Sequence, residues 1–67
     1  MKLYDWGIIN KDTREVRRVP NKDRSDGLFT SETIGHDAAM YAADQAGPEW
    51  RYHLIDIKHL DPSPPEP

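Results

Sequence analysis

The chain contains no cysteine, and its four glycines stand apart from one another along 67 residues. Without cysteine there is no disulfide framework, no thiolate metal site and no cysteine nucleophile. Isolated glycines exclude the glycine-rich loop that cradles phosphate groups. No apolar run approaches the roughly 18 residues that cross a membrane, and the first residues are too polar for a secretory leader. We therefore expect a soluble, cytoplasmic protein that does not contact membranes.

Chain length and proline content predict the domain organisation. A chain of 67 residues has room for one core, which at this size supplies about 3 to 5 kcal/mol of net stability. Four of the six prolines fall within residues 61–67, a composition typical of extended, mobile segments. We predict one domain over residues 1–60 and a disordered Pro-rich tail over residues 61–67. A linker is the alternative for this tail.

The first third of the chain predicts a β-hairpin. Tyr4, Trp6 and Ile8 alternate with other residues, which places all three side chains on one face of a strand. Turn-forming residues follow at 10–13, and β-compatible residues resume at 15–19 until Pro20 ends the second strand. Leu28 and Phe29 are the large apolar side chains of the following loop, and we expect them to cover the edge of the core.

The middle of the chain predicts one amphipathic helix. Ser31 is a suitable N-cap, and Gly47 followed by Pro48 is a typical helix stop. Gly35 lies inside this helix, where glycine costs about 1 kcal/mol relative to alanine. Helical spacing predicts a buried stripe of Ile34, Ala38, Tyr41 and Ala42, with Glu32, His36 and Asp44 facing water.

The run WRYHLIDIKHL at residues 50–60 is the most strand-like segment of the chain. Apolar side chains occur on both of its parities, which indicates partial cover on both faces or a bulge midway. The predicted fold is α+β in ββαβ order. The hairpin and the C-terminal strand form a three-stranded antiparallel sheet with one packed helix, and the third strand lies most simply beside the first. A homodimer would cover the third strand, and the alternative is a monomer with a patch for a partner.

The residues with catalytic or metal-binding chemistry form no recognisable constellation. His53 and His59 are six positions apart, about 20 Å along a strand, which is too far to share a metal ion. Asp5, Asp56 and His53 are acids and bases without a spacing that marks a catalytic pair. We therefore predict no catalytic residue, no metal site, no cofactor and no enzymatic activity.

Charge is distributed unevenly along the chain. Residues 11–24 carry six basic and three acidic side chains, whereas the whole chain has a net charge of -3. One interpretation is a basic hairpin that binds phosphates or an acidic protein, and the other is a solvated edge strand protected by charge. The candidate partner-binding residues are Arg14, Arg17, Arg18, Lys22 and Arg24, together with the aromatic residues Trp50 and Tyr52. Burial of a tryptophan against the helix is the alternative for Trp50.

The order of motifs resembles that of small proteins of unknown function from actinobacteria and their bacteriophages. The resemblance spans residues 6 to 58 and depends on Trp6-Gly7, a polar turn, an alanine-rich helix after Ser31-Glu32 and a strand led by Trp50. It implies a phage or accessory protein that acts by binding. The functional hypothesis is a non-enzymatic protein-interaction module, an inhibitor or adaptor that docks through a sheet face, edge strand or basic hairpin. The alternative is a nucleic-acid-binding protein that uses the hairpin from Arg14 to Arg24.

Overall fold

A computed structural model describes residues 1–59 of the chain. The elements are β1 (Lys2–Asn10), β2 (Val16–Arg18), α1 (Glu32–Ala46) and β3 (Trp50–His59). The strands form an antiparallel sheet in the order β2-β1-β3, and α1 packs against β1 and β3. The predicted α+β fold in ββαβ order is confirmed, including the place of the third strand beside the first. The predicted tail over residues 61–67 lies outside the described residues.

The turn between β1 and β2 is organised by a buried asparagine. Asn10 is 8% exposed, and its Oδ1 accepts hydrogen bonds from the backbone N–H groups of Asp12 and Thr13, at 2.8 and 3.0 Å. An asparagine side chain that accepts hydrogen bonds from the backbone N–H groups two and three residues later takes the place of part of a backbone turn. Arg14 then adopts a positive φ of 67°. These bonds hold the hairpin closed although β2 is only three residues long, shorter than the predicted strand at residues 15–19.

The rest of the β2-side edge of β1 is covered by the loop before the helix. Tyr4 and Phe29 exchange two backbone hydrogen bonds, of 2.8 and 2.9 Å. Phe29 is 4% exposed and Leu28 5% exposed, which confirms the prediction that both cover the core edge. The Asn21 side chain fastens this loop by donating to the Leu28 carbonyl at 2.9 Å.

A β-bulge interrupts the pairing of β1 with β3. Asp5 lies opposite Asp56, whereas the next residue, Trp6, lies opposite Leu54, so that Ile55 is the extra residue on β3. The bulge explains why both parities of this strand contain apolar residues. A Cβ atom on Gly7 would lie 2.5 Å from the Arg17 carbonyl oxygen and 2.7 Å from Ile55 Cδ1. Glycine is therefore required where β2, β1 and the bulge meet.

The predicted ends of the helix are confirmed. Ser31 is the N-cap and its Oγ accepts a hydrogen bond from the Ile34 backbone N–H at 3.3 Å, while Gly47 forms the C-cap with a φ of 135°. The predicted buried stripe is wrong. Ile34 and Tyr41 are 63% and 68% exposed, and Ala38 and Ala42 are half-buried. The residues that face the sheet are Gly35, Ala39 and Ala43.

A small side chain at every inward position explains this orientation. A Cβ atom on Gly35 would overlap Cδ1 and Nε1 of the Trp6 indole, so the ring lies directly against the helix backbone. Trp6 forms one core cluster with Phe29 and Ala39. A second cluster contains Ile8, Ala43 and Trp50. In both clusters the large side chains come mainly from the sheet, and the helix contributes small residues that leave room for them. The apolar spacing of the helix alone does not reveal this arrangement.

Candidate docking surfaces

Arg17 is engaged within the hairpin and with the core. Its Nε donates to Glu15 Oε2 at 2.8 Å, and its guanidinium carbon lies 4.6 Å from the centroid of the Trp50 ring. A guanidinium over an indole face is attracted to the ring and shields it from water. Arg17 therefore covers one end of the core as well as carrying charge.

Arg18 connects the hairpin to the loop before the helix. Its Nε donates to Asp5 Oδ1 at 2.9 Å, and the Asp5 side chain is only 13% exposed. Its second nitrogen donates to the Asp26 backbone carbonyl at 3.2 Å. A carboxylate with so little exposure to solvent needs a nearby cation, because desolvation disfavours an unpaired charge. Arg18 supplies that cation.

Arg24 forms a two-bond pair with Asp26, at 3.0 and 2.8 Å. The Arg24 guanidinium, followed by the Leu28 backbone N–H, lowers the pKa of Asp26 from 3.8 to about 2. Arg14 and Lys22, the remaining basic candidates, are exposed and have no ion pair within residues 1–59. The structure thus neutralises three of the five basic candidates internally and leaves two without a paired charge.

Acid titration should reveal the Arg24–Asp26 pair. Because the pKa of Asp26 is lowered on folding, its contribution to stability is complete above pH 3.8 and is lost as the pH falls toward about 2. We expect Asp26→Asn to reduce the melting temperature at pH 5 and to be nearly neutral at pH 2. Asp44→Asn is the matched control, since Asp44 is an exposed carboxylate with no ion pair in the described part of the chain. An equal loss at pH 5 and pH 2 would contradict the assignment.

The two aromatic candidates differ in accessibility. Trp50 is 7% exposed and lies in the core with Ile8 and Ala43, so the expectation that its ring is presented to a partner is corrected. Tyr52 is 47% exposed. Its ring lies 4.6 Å from the ring of His36, which in turn lies 5.6 Å from the ring of Trp6. The His36 ring is therefore partly covered by an aromatic cluster, but its side chain stays 38% exposed, so the expectation that it faces water holds only in part. Glu32 and Asp44 are exposed as expected.

A groove along the helix is a large concave surface within residues 1–59. It has a volume of about 710 Å³ and lies between the loop after β2 and the outer side of α1. Its apolar lining residues are Val19, Pro20, Phe29, Ala38, Tyr41, Ala42 and Ala46. Asn21, Lys22, Asp23 and Gln45 also line the groove. The lining is therefore mostly apolar and carries one charge of each sign.

Most residues of this groove were absent from the sequence-based site. Of the seven candidates, Lys22 alone lines it. The signal was present in the spacing of Ala38 and Ala42, which we interpreted as part of a buried stripe. The actual inward face lies one residue further along the helix, at Gly35, Ala39 and Ala43. The alanine row is consequently left half open beside an exposed tyrosine.

Within residues 1–59, no three His, Asp or Glu side chains converge as metal ligands would. The helix of this part of the chain is too short and too polar to cross a membrane.

No family model, curated protein or solved structure matches this chain. The resemblance to small actinobacterial and phage proteins therefore stays a prediction.

Proposed function

We propose that this chain is a non-enzymatic protein-binding module that receives an apolar helical segment of a partner in the groove beside α1. The observation that carries the proposal is the groove itself, about 710 Å³ of space with a mostly apolar lining at the surface of a very small domain. Contiguous apolar concavities on small proteins are typical of interaction sites. The module has the size of an inhibitor or adaptor.

The shape of the groove favours a helical partner. Ala38, Ala42 and Ala46 are four residues apart and form a row of small side chains along one side of α1. The row is about 12 Å long at 1.5 Å per residue, which matches two turns of a second helix. Small side chains allow two helix axes to approach closely, and large apolar side chains of the partner then fill the groove. Tyr41, which is 68% exposed, provides an aromatic anchor of the kind common at binding hot spots.

The ion pairs of the hairpin weigh against the nucleic-acid alternative. Arg17, Arg18 and Arg24 already hold Glu15, Asp5 and Asp26. A phosphate would have to displace these carboxylates, and neutralised arginines add little to the counterion release that drives nucleic-acid binding. We therefore expect duplex DNA to bind weakly if at all.

Site-specific photocrosslinking tests the proposed function. Benzoylphenylalanine at position 41, inside the groove, should give a protein adduct in the producing cells. The same group at position 37, where the Asp37 side chain is 66% exposed, serves as the matched control and should not. The purified adduct partner should then lose at least about tenfold in affinity for Tyr41→Ala and for Ala46→Arg, because both change the groove without altering the core.

The proposal fails if the partner binds both groove variants as tightly as the wild type. It also fails if the adducts at position 41 contain nucleic acid, or if duplex DNA binds with an affinity that falls log-linearly with salt concentration. Circular dichroism of each variant separates a lost contact from a lost fold.

A further inference from the structure

The outer edge of β3 carries backbone groups that point away from the sheet. Within residues 1–59 no strand pairs with this edge, since the sheet order is β2-β1-β3. The backbone N–H and C=O of Tyr4 are both bonded to Phe29, so Tyr4 exchanges no hydrogen bonds with Ile57, which lies opposite it on β3. In an antiparallel ladder the groups of such a residue face outward. The N–H of Ile57 accordingly donates to the side chain of its neighbour, Asp56 Oδ1, at 2.9 Å.

The charged neighbours of Ile57, Asp56 and Lys58, form no ion pair with any residue of the described chain. Asp56 lies directly across from Asp5, and like charges in this position repel. Arg18 compensates Asp5 at 2.9 Å. No ion pair within residues 1–59 includes Asp56 or Lys58, and both residues are exposed. This end of the strand therefore presents one carboxylate and one ammonium two residues apart.

Symmetry limits how a second copy of β3 could pair with the first. If two copies pair antiparallel around a twofold axis perpendicular to the sheet, one residue of the strand must face its own copy. An axis at Arg51, Asp56 or Lys58 sets identical charges against each other. An axis at Ile57 instead sets Asp56 of each copy against Lys58 of the other. Among the residues of β3 that follow the bulge, Ile57 is the one that produces opposite-charge pairs between the two strands.

We propose that the outer edge of β3 docks a second copy of this chain, with the twofold axis at Ile57. The two sheets join into one of six strands with both helices on the same face. Each Ile57 N–H then donates to the Ile57 carbonyl of the second copy, which releases Asp56 to pair with Lys58 across the axis. The Ile57 side chains, 37% exposed in one copy, contact each other. This surface is separate from the groove beside α1.

The paired segment is short, and we therefore expect a weak dimer. Strand pairing around Ile57 includes residues 55–59, and the bulge at Ile55 ends the regular part of β3 on one side. An interface of this size falls below the roughly 1,200 Å² of stable complexes. The equilibrium should be visible by sedimentation between about 10 µM and 1 mM protein at low salt.

Charge exchange at two positions tests the dimer and its register. Asp56→Lys and Lys58→Asp should each weaken association at least about tenfold, because each places like charges across the axis twice. The double variant restores both pairs with reversed sign and should return to within about threefold of the wild type. Asp44→Lys changes the net charge as Asp56→Lys does, but on the exposed side of the helix, and should leave association unchanged.

A proline provides a second variant with an intact fold. Ile57→Pro removes an N–H that β1 does not use, so the sheet should form while the dimer is lost. Four results would overturn the proposal: a wild type that stays monomeric to about 1 mM, a double variant that does not recover, a dimer that survives Ile57→Pro, or stronger association of Asp56→Lys. The last result would mean that the Asp56 carboxylate protects the edge against pairing.

Discussion

Replacing Gly35 with alanine should lower the free energy of unfolding by about 2 kcal/mol, although alanine is the better helix former by about 1 kcal/mol. The added methyl group would overlap the indole of Trp6, and it would lie 3.1 Å from the ring of Phe29. Both rings are buried and pack together in one cluster. The indole or the helix would have to shift to admit the methyl group, at the expense of this packing. Urea unfolding monitored by tryptophan fluorescence measures the loss.

Thr33→Ala is the matched control for this substitution. Thr33 lies two residues earlier in the same helix and is exposed, so the change should be neutral or slightly stabilising through helix propensity alone. If Gly35→Ala stabilised the protein like the control, Trp6 would not pack against the helix backbone.

Replacing Gly7 with alanine should cost about 3 kcal/mol, the larger of the two effects, because a backbone atom obstructs the new methyl group. The Cβ would lie 2.5 Å from the Arg17 carbonyl oxygen, which is held in the β1–β2 ladder, and 2.7 Å from Ile55 Cδ1. A side chain can change its rotamer, but the carbonyl cannot move without opening the hairpin. A loss of this size approaches the whole stability of a single small core.

A second substitution separates the two causes. In Gly7→Ala combined with Ile55→Ala, the contact with Ile55 is removed and the contact with the Arg17 carbonyl remains. The double variant should therefore recover only part of the loss relative to Ile55→Ala alone, as measured by a double-mutant cycle. Complete recovery would show that the backbone obstruction is unimportant.

The fold was predictable because its signals are local and agree with one another. Each signal depends on a few neighbouring residues. The signals are the alternation at Tyr4, Trp6 and Ile8, the turn that follows, and the helix ends at Ser31 and Gly47. Each of these elements is present in the structure. The length of β2 was not predictable from propensity, since Val19 is bonded to Trp6 by a single backbone hydrogen bond of 2.8 Å outside the regular strand.

The inward face of the helix was not predictable because it depends on distant residues. Ile34 and Tyr41 have the apolar spacing of a buried stripe, yet Trp6 takes the space beside Gly35 and turns both of them outward. Glycine inside a helix appeared as a cost, whereas here it creates the contact with the sheet. The groove was missed for the same reason, since Ala38, Tyr41 and Ala42, which were expected to be inside, line it.

The basic segment illustrates a limit of counting charge along the chain. The excess of positive charge at residues 11–24 is correct as composition. The partners of Arg18 and Arg24, however, are Asp5 and Asp26, which lie outside that segment. Ion pairs between residues that meet only after folding cannot be read from the sequence. The candidate binding residues therefore included arginines whose charge is used inside the fold.

The central position of β1 determines the order in which the sheet can close. Its pairing with β2 encloses a turn of a few residues, whereas its pairing with β3 encloses residues 11–49. The entropy of closing the longer loop costs about 2 kcal/mol more. The hairpin can therefore form early during folding, whereas β3 can pair with β1 only after α1 has been synthesised. Until β3 has left the ribosome, Ile8 lacks its contact with Trp50 and the cluster of Trp6 lacks Leu54, so this side of β1 stays accessible to chaperones.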